Sequence, residues 1–483
     1  MYIIFLKEEF MNKTLHDLFA GKSVCLLGAG VSNMPLCEYI APVVRSLTVR
    51  DKKSEDELGE TAEKIKSLGA RLITGPNYMD DICENIVFRS PGIRPDTPEL
   101  IAARKRGSTV TSEMELFLSL HPCRVYAVTG SDGKTTTTTL TSLMLEAGGE
   151  GKVFLGGNIG KPMLHRLDDI TPADSAAIEV SSFQLMTVDA PVDVAAITNI
   201  TPNHLNWHAS MEEYIEAKKR ILKKCGRAVL NFDNEETRKI AFEIQKNTDI
   251  PVTFFSLSPL PEGLLRKIDS AVWLENDSIY SLFPADGKQK ILDRSVIKIP
   301  GLHNTANYIT AIAVTYGRVS PDKIENIART FGGVEHRLEF VREKDGVTFI
   351  NGSIDSSPTR TAAALSAISD RPVVLIAGGY DKHIPYEPLA DAIFSSSVHS
   401  VVLCGQTGEK IYDAIVSSPK YTDDVKKTLK IVREPDFEKA VRTAAEIASP
   451  GDTVILSPAS ASFDAFLNFE VRGRRFKEIV NSL

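Results

Sequence analysis

The sequence predicts an α/β protein of three domains, and three observations carry that prediction. Short apolar runs ending in Gly, Asp or Asn alternate with longer amphipathic stretches, as parallel strands do with covering helices. The alternation starts afresh twice, which places boundaries near residues 118 and 334. A chain of 483 residues is also too long for one hydrophobic core.

The first block, 1–118, begins with KSVCLLGAGVSN, a strand turning through glycines into a helix, and runs through LTVRD to IVFRSPGI. GAGVSN is an incomplete G-x-G-x-x-G fingerprint with Asn33 in the third place, and Asp51 ends LTVRD where a ribose-binding acid would stand. On these residues alone a dinucleotide site is a fair alternative for the block. The second block, 119–333, begins at CRVYAVTG and includes SAAIEVSS, VAAITNI and RAVLNFD. The third, 334–483, begins near VTFINGS, includes VVLIAGG, SVVLCG and DTVILSP, and ends in a helix.

VTGSDGKTTTTTL, residues 128–140, carries the strongest chemical signal. A strand over Val125–Val128 enters a tight glycine loop, and a helix is predicted from Lys134. N–H groups at a helix start, and the helix dipole, favour an anion there. Lys134 suits the β- and γ-phosphates, and the Thr135 hydroxyl suits Mg²⁺. Val128 stands where G-x-x-x-x-G-K-[ST] has its first glycine, so this is a shortened G-x-x-G-K-T form. ATP is the expected ligand, held by Gly130, Ser131, Asp132, Gly133, Lys134, Thr135 and Thr136. The hydroxyls of the threonine run are expected to serve unpaired N–H groups or ligand oxygens.

Glu179 ends the apolar run AAIE on the strand edge where the phosphate loop also lies, which suits a metal-binding carboxylate. His204 follows VAAITNI on the same edge, but Mg²⁺ prefers oxygen, so pattern alone leaves it balanced between ligand and packing residue. Lys218 lies in MEEYIEAKKRILKK, an amphipathic helix with Met211, Tyr214, Ile215 and Ile221 or Leu222 facing inward. Periodicity assigns Lys218 to a solvated face supported by pairs such as Glu216 with Arg220.

A net charge of −7 gives no field for nucleic acid or an anionic membrane. The six cysteines form no CxxC pair and read as free, mostly buried thiols of a reducing cytosol. The run in MYIIFLKEEFMNK is too short for a signal peptide, and no stretch approaches the roughly 20 apolar residues of a membrane span. A soluble cytoplasmic location, without membrane insertion, is the expectation.

TGSDGKTTT, EVSSFQL, NITPNHLNWH followed by AKKRI, GLHNTANYITAIA, EHRLEF and SPASASFDAFLNFEVRGRRF together resemble the Mur ligases, across nearly all of residues 22–480. SSFQL and SPASASFD are similar to the members that add D-glutamate to UDP-N-acetylmuramoyl-L-alanine. The resemblance implies a Rossmann-like domain for the uridine nucleotide, a central P-loop ATPase domain and a Rossmann-like domain for the amino acid. It implies an ATP-dependent ligase working through an acyl phosphate in peptidoglycan precursor synthesis, with two Mg²⁺ ions and, as expected here, a monomeric chain. Another amino acid or acceptor, as in sister Mur ligases or folylpolyglutamate-type ligases, is one alternative. A nucleotide-binding regulator without the chemistry is another.

Carried over by position, the resemblance gives Lys134, Glu179, His204 and Lys218 catalytic roles, with Thr135, Glu179, His204 and Lys218 at the metals. Lys218 matches a lysine that carries a carbamate, against the solvated-face reading. Asn304 and Asn307 match residues at the adenine, and Arg337 one that reaches the nucleotide phosphates. Ser32, Asp51, Lys52, Lys53, Ser90 and Asn158 match the uridine diphosphate site. Ser356, Lys382, Ser462 and Phe469 match the amino-acid contacts. The third block departs from the pattern N-D-S-[KI]-A-[ST]: Gly352 stands in place of its aspartate, and Asp355 is an added acid. An acid facing the glutamate carboxylates would repel them by about 1–3 kcal/mol unless a cation intervenes. Ser460 replaces the usual cysteine, a near-isosteric change expected to be tolerated.

Overall fold

Runs such as SVCLL, SAAIE and VVLIAG have no polar alternation, so their strands need cover on both faces, and all three are buried along their length. The computed structural model describes residues 14–483 except 160, 206, 269, 300, 369, 370 and 383; the run MYIIFLKEEFMNK lies outside the described residues. Among the described residues the strands form three sheets.

The first sheet has the order β3-β2-β1-β4-β5, with β1 Ser23–Leu27, β2 Ser46–Asp51, β3 Arg71–Thr74, β4 Ile86–Arg89 and β5 Thr109–Thr111. All its pairings are parallel. The second contains β6 Arg124–Thr129, β7 Val153–Gly157, β8 Ser175–Glu179, β9 Val192–Ile197, β10 Cys225–Asn231, β11 Val252–Ser256, β12 Ser270–Glu275, β13 Ser278–Phe283 and β14 Gly287–Asp293. Its order is β14-β13-β12-β11-β10-β9-β6-β8-β7. The third contains β15 Glu339–Lys344, β16 Val347–Asn351, β17 Val373–Gly378, β18 Val398–Cys404, β19 Lys430–Arg433 and β20 Thr453–Leu456, in the order β15-β16-β20-β17-β18-β19.

Strand order reverses at β1, which lies between β2 and β4, and at β6, which lies between β8 and β9. Crevices beyond the carboxyl ends of strands at such points are where open α/β sheets bind ligands. The GAGVSN and TGSDGK loops follow β1 and β6 directly.

The sheets are not wholly parallel. β12, β13 and β14 form an antiparallel extension that the alternation of strands and helices did not predict. Asn276 and Asp277, at φ 48° and 58°, make its first turn. Asn and Asp tolerate the left-handed conformation that such two-residue turns demand. β15 likewise pairs antiparallel with β16.

The chain forms two compact units. One runs to Ile297 and takes in Leu302–Arg329, thus holding the first two sheets; the other consists of Lys298–Gly301 and Thr330–Leu483. The six cysteines are free, five of them buried and Cys83 exposed. Among the described residues no helix is long and apolar enough to cross a membrane.

Candidate active site

β6 ends at Thr129, and the helix Lys134–Gly148 begins four residues beyond Gly130. Gly130 has φ 149°, and a side chain there would collide with the Thr198 hydroxyl. Gly133 caps the helix at φ 77°, and a Cβ would lie 2.5 Å from Asn307 Oδ1. Both places therefore require glycine on conformation and on space. The loop is pinned between them: Ser131 Oγ donates to the Thr201 carbonyl at 3.0 Å and lies 2.8 Å from Tyr214 Oη, and Asp132 N–H donates to Asn199 Oδ1 at 3.0 Å.

The threonine run behaves differently from expectation. Thr138, Thr139 and Thr141 donate to the carbonyls of Lys134, Thr135 and Thr137, one turn back. This back-bonding satisfies hydroxyls that the helix would otherwise bury without partners. Thr135 donates instead to Glu179 Oε2 at 2.8 Å, and Thr137 to Asn307 Oδ1 at 3.2 Å. Thr136 is half-buried beside them.

Two lysines converge on one oxygen. Lys134 Nζ donates to the Gly130 carbonyl at 3.0 Å and to that of Ser131 at 2.8 Å; Lys218 Nζ donates to the same Gly130 carbonyl at 2.7 Å. Lys218 is 1% exposed. Burial, and then the neighbouring Lys134 charge, hold its ammonium well below the usual lysine range, against the weaker pull of Asp132 and Glu179. The solvated-face assignment of Lys218 is thus overturned, because the turn from β6 packs over the helix face that carries it. The pair Glu216–Arg220 is also replaced: Glu216 meets Lys219 at 2.9 Å, and Arg220 Nε donates to the Val188 carbonyl at 3.0 Å.

Glu179 ends β8 in register with Val128 of β6 and Gly157 of β7. Its carboxylate is 1% exposed and also accepts from Asn158 Nδ2 at 2.6 Å. Lys134, Thr135, Asn158, Glu179 and Lys218 are thereby brought together at one strand edge. Asn307 joins them through Thr137 and donates to Asn304 Oδ1 at 3.2 Å. His204 has φ 56°, a left-handed conformation that costs a non-glycine residue about 1–3 kcal/mol and that clusters at functional sites. Burial, then Lys134 and Lys218, lower its pKa, so the ring is kept neutral.

At the edge of the first sheet, Asp51 accepts from the N–H groups of Ala29 at 2.8 Å and Lys53 at 2.9 Å. Asn33 Nδ2 donates to the carbonyls of Leu27 and Gly28 at 3.0 Å and to Ser90 Oγ at 3.2 Å. Asp51 and Ser90 thus flank the glycine loop, with Ser32 half-buried and Lys52 and Lys53 exposed.

In the second unit, Lys382 Nζ donates to the Ser356 carbonyl at 3.4 Å, while Ser462 is 2% exposed. The Phe469 carbonyl accepts from Ser353 Oγ at 2.8 Å. Asp355 is turned inward and accepts from Ser457 Oγ at 2.9 Å; burial pushes its carboxyl up to about 6 despite Arg337, Arg360 and Arg472. A Cβ at residue 352 would lie 2.6 Å from Asp355 Oδ2, so this carboxyl fills space that only a glycine leaves. Ser460 Oγ lies 2.9 Å from Tyr386 Oη and 2.8 Å from Thr407 Oγ1, polar partners that suit a hydroxyl. Arg337 is exposed on a short turn that begins at Val334.

Arg472 escaped sequence reasoning. It is 2% exposed and donates to the carbonyls of Ser353, Ser460 and Ala461. In VRGRRF nothing separates it from Arg474 and Arg475 except its spacing of four from buried Phe476.

The Mur ligase middle domain family model matches residues 128–315, and the Mur ligase glutamate ligase domain model matches residues 336–460. A UDP-N-acetylmuramoylalanine--D-glutamate ligase of Acetivibrio thermocellus is 45% identical over 98% of this chain and 100% of its own. One of the same name from Ruminiclostridium cellulolyticum is 44% identical over 96% and 97%. Among solved structures, a UDP-N-acetylmuramate-alanine ligase of Thermotoga maritima shares the fold, with a TM-score of 0.53 and 17% identity over 95% of this chain and 99% of that one.

Proposed function

The chain belongs to the Mur ligase family, and on that premise we propose that it joins D-glutamate to UDP-N-acetylmuramoyl-L-alanine with ATP, in peptidoglycan precursor synthesis. A carboxylate resists attack until one of its oxygens becomes a leaving group. Transfer of the γ-phosphoryl group to the L-alanine carboxylate supplies that leaving group. The D-glutamate amine then attacks the carbonyl carbon, and the tetrahedral intermediate expels phosphate as the amide forms. Negative charge gathers in both steps, so fixed cations and dipoles contribute most.

The observation that carries this chemistry is the convergence of Lys134 and Lys218 on the Gly130 carbonyl beside the Thr135–Glu179 pair. Gly130 to Thr136 form the P-loop, which cradles the phosphates through its N–H groups, and Lys134 neutralises them. Asn304 and Asn307 hold the adenine. Asp51, Lys52, Lys53, Ser32, Ser90 and Asn158 serve the uridine nucleotide, and Ser356, Lys382, Ser462 and Phe469 the amino acid. Arg337 serves the nucleotide phosphates.

Among the described residues no three His, Cys, Asp or Glu side chains cluster as a metal cage. The buried Glu179 carboxylate with the Thr135 hydroxyl fits Mg²⁺ all the same, since that ion takes one or two carboxylates plus substrate oxygens and water. Bound there, Mg²⁺ supplies charge to the phosphate oxygens. His204, held neutral, suits a second ion through nitrogen. A lysine whose charged form burial disfavours is also what addition of CO₂ requires, so Lys218 fits a carbamate, which offers an anionic oxygen in place of a cation.

ADP release by the purified chain, with Mg²⁺ and a panel of amino acids, tests the reading. Release that depends on both the uridine substrate and D-glutamate is expected, with a product heavier by one glutamyl residue. Release independent of either substrate, or greater with another amino acid, overturns it.

A further inference from the structure

Outside the cluster of lysines and Glu179, a chain of polar contacts runs through one fully buried imidazole. His208 Nδ1 lies 3.2 Å from Glu213 Oε2, and Nε2 lies 2.9 Å from Ser182 Oγ. Arg94 grips Glu213 with two bonds, of 2.8 and 3.1 Å, which keeps that carboxylate anionic. Nδ1 therefore carries the proton donated to Glu213, and Nε2 accepts from the Ser182 hydroxyl.

Each of these contacts lands on a segment that carries a residue of the proposed site. Ser182 opens a short helix three residues after Glu179. Glu213 lies on the helix Met211–Lys219, which carries Lys218. The N–H groups of His208 and Trp207 both donate to the carbonyl of His204 at 3.0 Å, closing the turn whose first residue is left-handed. The network also reaches the loop that follows β4, since Arg94 donates to the Trp207 carbonyl at 2.9 Å and Trp207 Nε1 to that of Gly92 at 3.0 Å.

We propose that His208 is a positioning residue for the ligase reaction, bonding the segments that carry Glu179, His204 and Lys218 into one arrangement. The assignment rests on the ligase reading above. A nucleophilic role for Ser182 does not compete, because Ser182 is 3% exposed and no substrate reaches its hydroxyl. The alternative is packing alone, since the ring also lies 5.6 Å from Phe183, 4.8 Å from Trp207 and 5.2 Å from Tyr214. The two roles demand different replacements. Packing tolerates an aromatic ring without nitrogen, whereas positioning tolerates an amide.

The test compares the unaltered full-length chain with His208→Phe and His208→Gln, for kcat and for the KM of ATP and D-glutamate. A slight misplacement of reacting groups costs up to about 100-fold, so His208→Phe is expected to lower kcat about 30- to 100-fold with KM values within about threefold. His208→Gln is expected to return kcat to within about fivefold of the unaltered chain. Trp207 emission, read in a Trp273→Phe background because the chain has two tryptophans, should shift in His208→Phe and return in His208→Gln. A His208→Phe chain turning over within about threefold of the unaltered one, or a Gln variant no better than Phe, overturns the assignment. Failure of the unaltered chain to ligate D-glutamate overturns the ligase reading instead, and this role falls with it.

Discussion

Lys218 and Asp355, one in each unit, are both buried ionisable groups, at 1% and 8% exposure, yet their neighbours differ in kind. Lys218 stands near a second cation, so burial and like charge push its pKa the same way. Asp355 stands among three guanidinium groups and accepts from Ser457, and still its carboxyl is pushed up to about 6. Burial leads in both places, and neighbours only modulate it. The first unit thus gains an amine held ready to be neutral. The second gains an acid that changes charge near neutral pH.

Lys218 is the more sensitive of the two groups. Lys218→Ala should lower kcat about 1,000-fold, the scale of losing an electrostatic group aimed at developing charge. Short-chain carboxylates added to that variant should restore part of the activity if a carbamate is involved. Lys218→Arg should not restore it, because a guanidinium cannot become neutral. ADP release under saturating substrates reads all three.

Glu179→Gln comes next, at about 100-fold in kcat. It keeps the reach to Thr135 while losing the anion, and raised Mg²⁺ should recover part of the loss. A magnesium titration of initial rates distinguishes this from simple misfolding.

Asp355 sharpens the other side. Its folded pKa, about 6, exceeds the ordinary 3.8, so the folded state holds its proton more tightly. The stabilisation is complete below about pH 4 and is lost as pH rises through 6, by up to about 3 kcal/mol. Urea unfolding at pH 5 and pH 8 should therefore show the unaltered chain losing stability relative to Asp355→Asn. Equal slopes with pH in the two chains would contradict the buried-acid account.

Gly352→Ala carries the smallest effect. Its methyl would press on Asp355 Oδ2 at 2.6 Å and on the Leu456 carbonyl at 2.8 Å, costing about 1–3 kcal/mol. Combining it with Asp355→Ala should remove only the part owed to the carboxyl, because the Leu456 carbonyl stays in place, and a thermal melt of the four chains measures the coupling.

What the sequence disclosed followed from how local each cause was. The strand before Gly130 and the helix from Lys134 were legible because glycine and a buried apolar run act within a few residues. Glu179 was legible because a charge interrupting an apolar run marks a strand end. Lys218 was legible only through the family motifs, since periodicity sees the face of a helix but not the loop, 88 residues earlier in the chain, whose carbonyl covers it. Arg472 was hidden from periodicity for the same reason, its carbonyl partners lying 11, 12 and 119 residues away. The antiparallel strands β12 to β14 interrupt the strand-and-helix rhythm, and only the Asn276-Asp277 turn announces them.

The carbonyl of Gly130 receives hydrogen bonds from two lysine side chains. Lys134 can swing toward an incoming phosphate while the buried Lys218 keeps that oxygen satisfied. A triphosphate therefore recruits a positive charge without stranding the acceptor it came from, a loss that would otherwise be on the order of 1–3 kcal/mol. Redundancy at a single main-chain atom makes the loop cheap to rearrange.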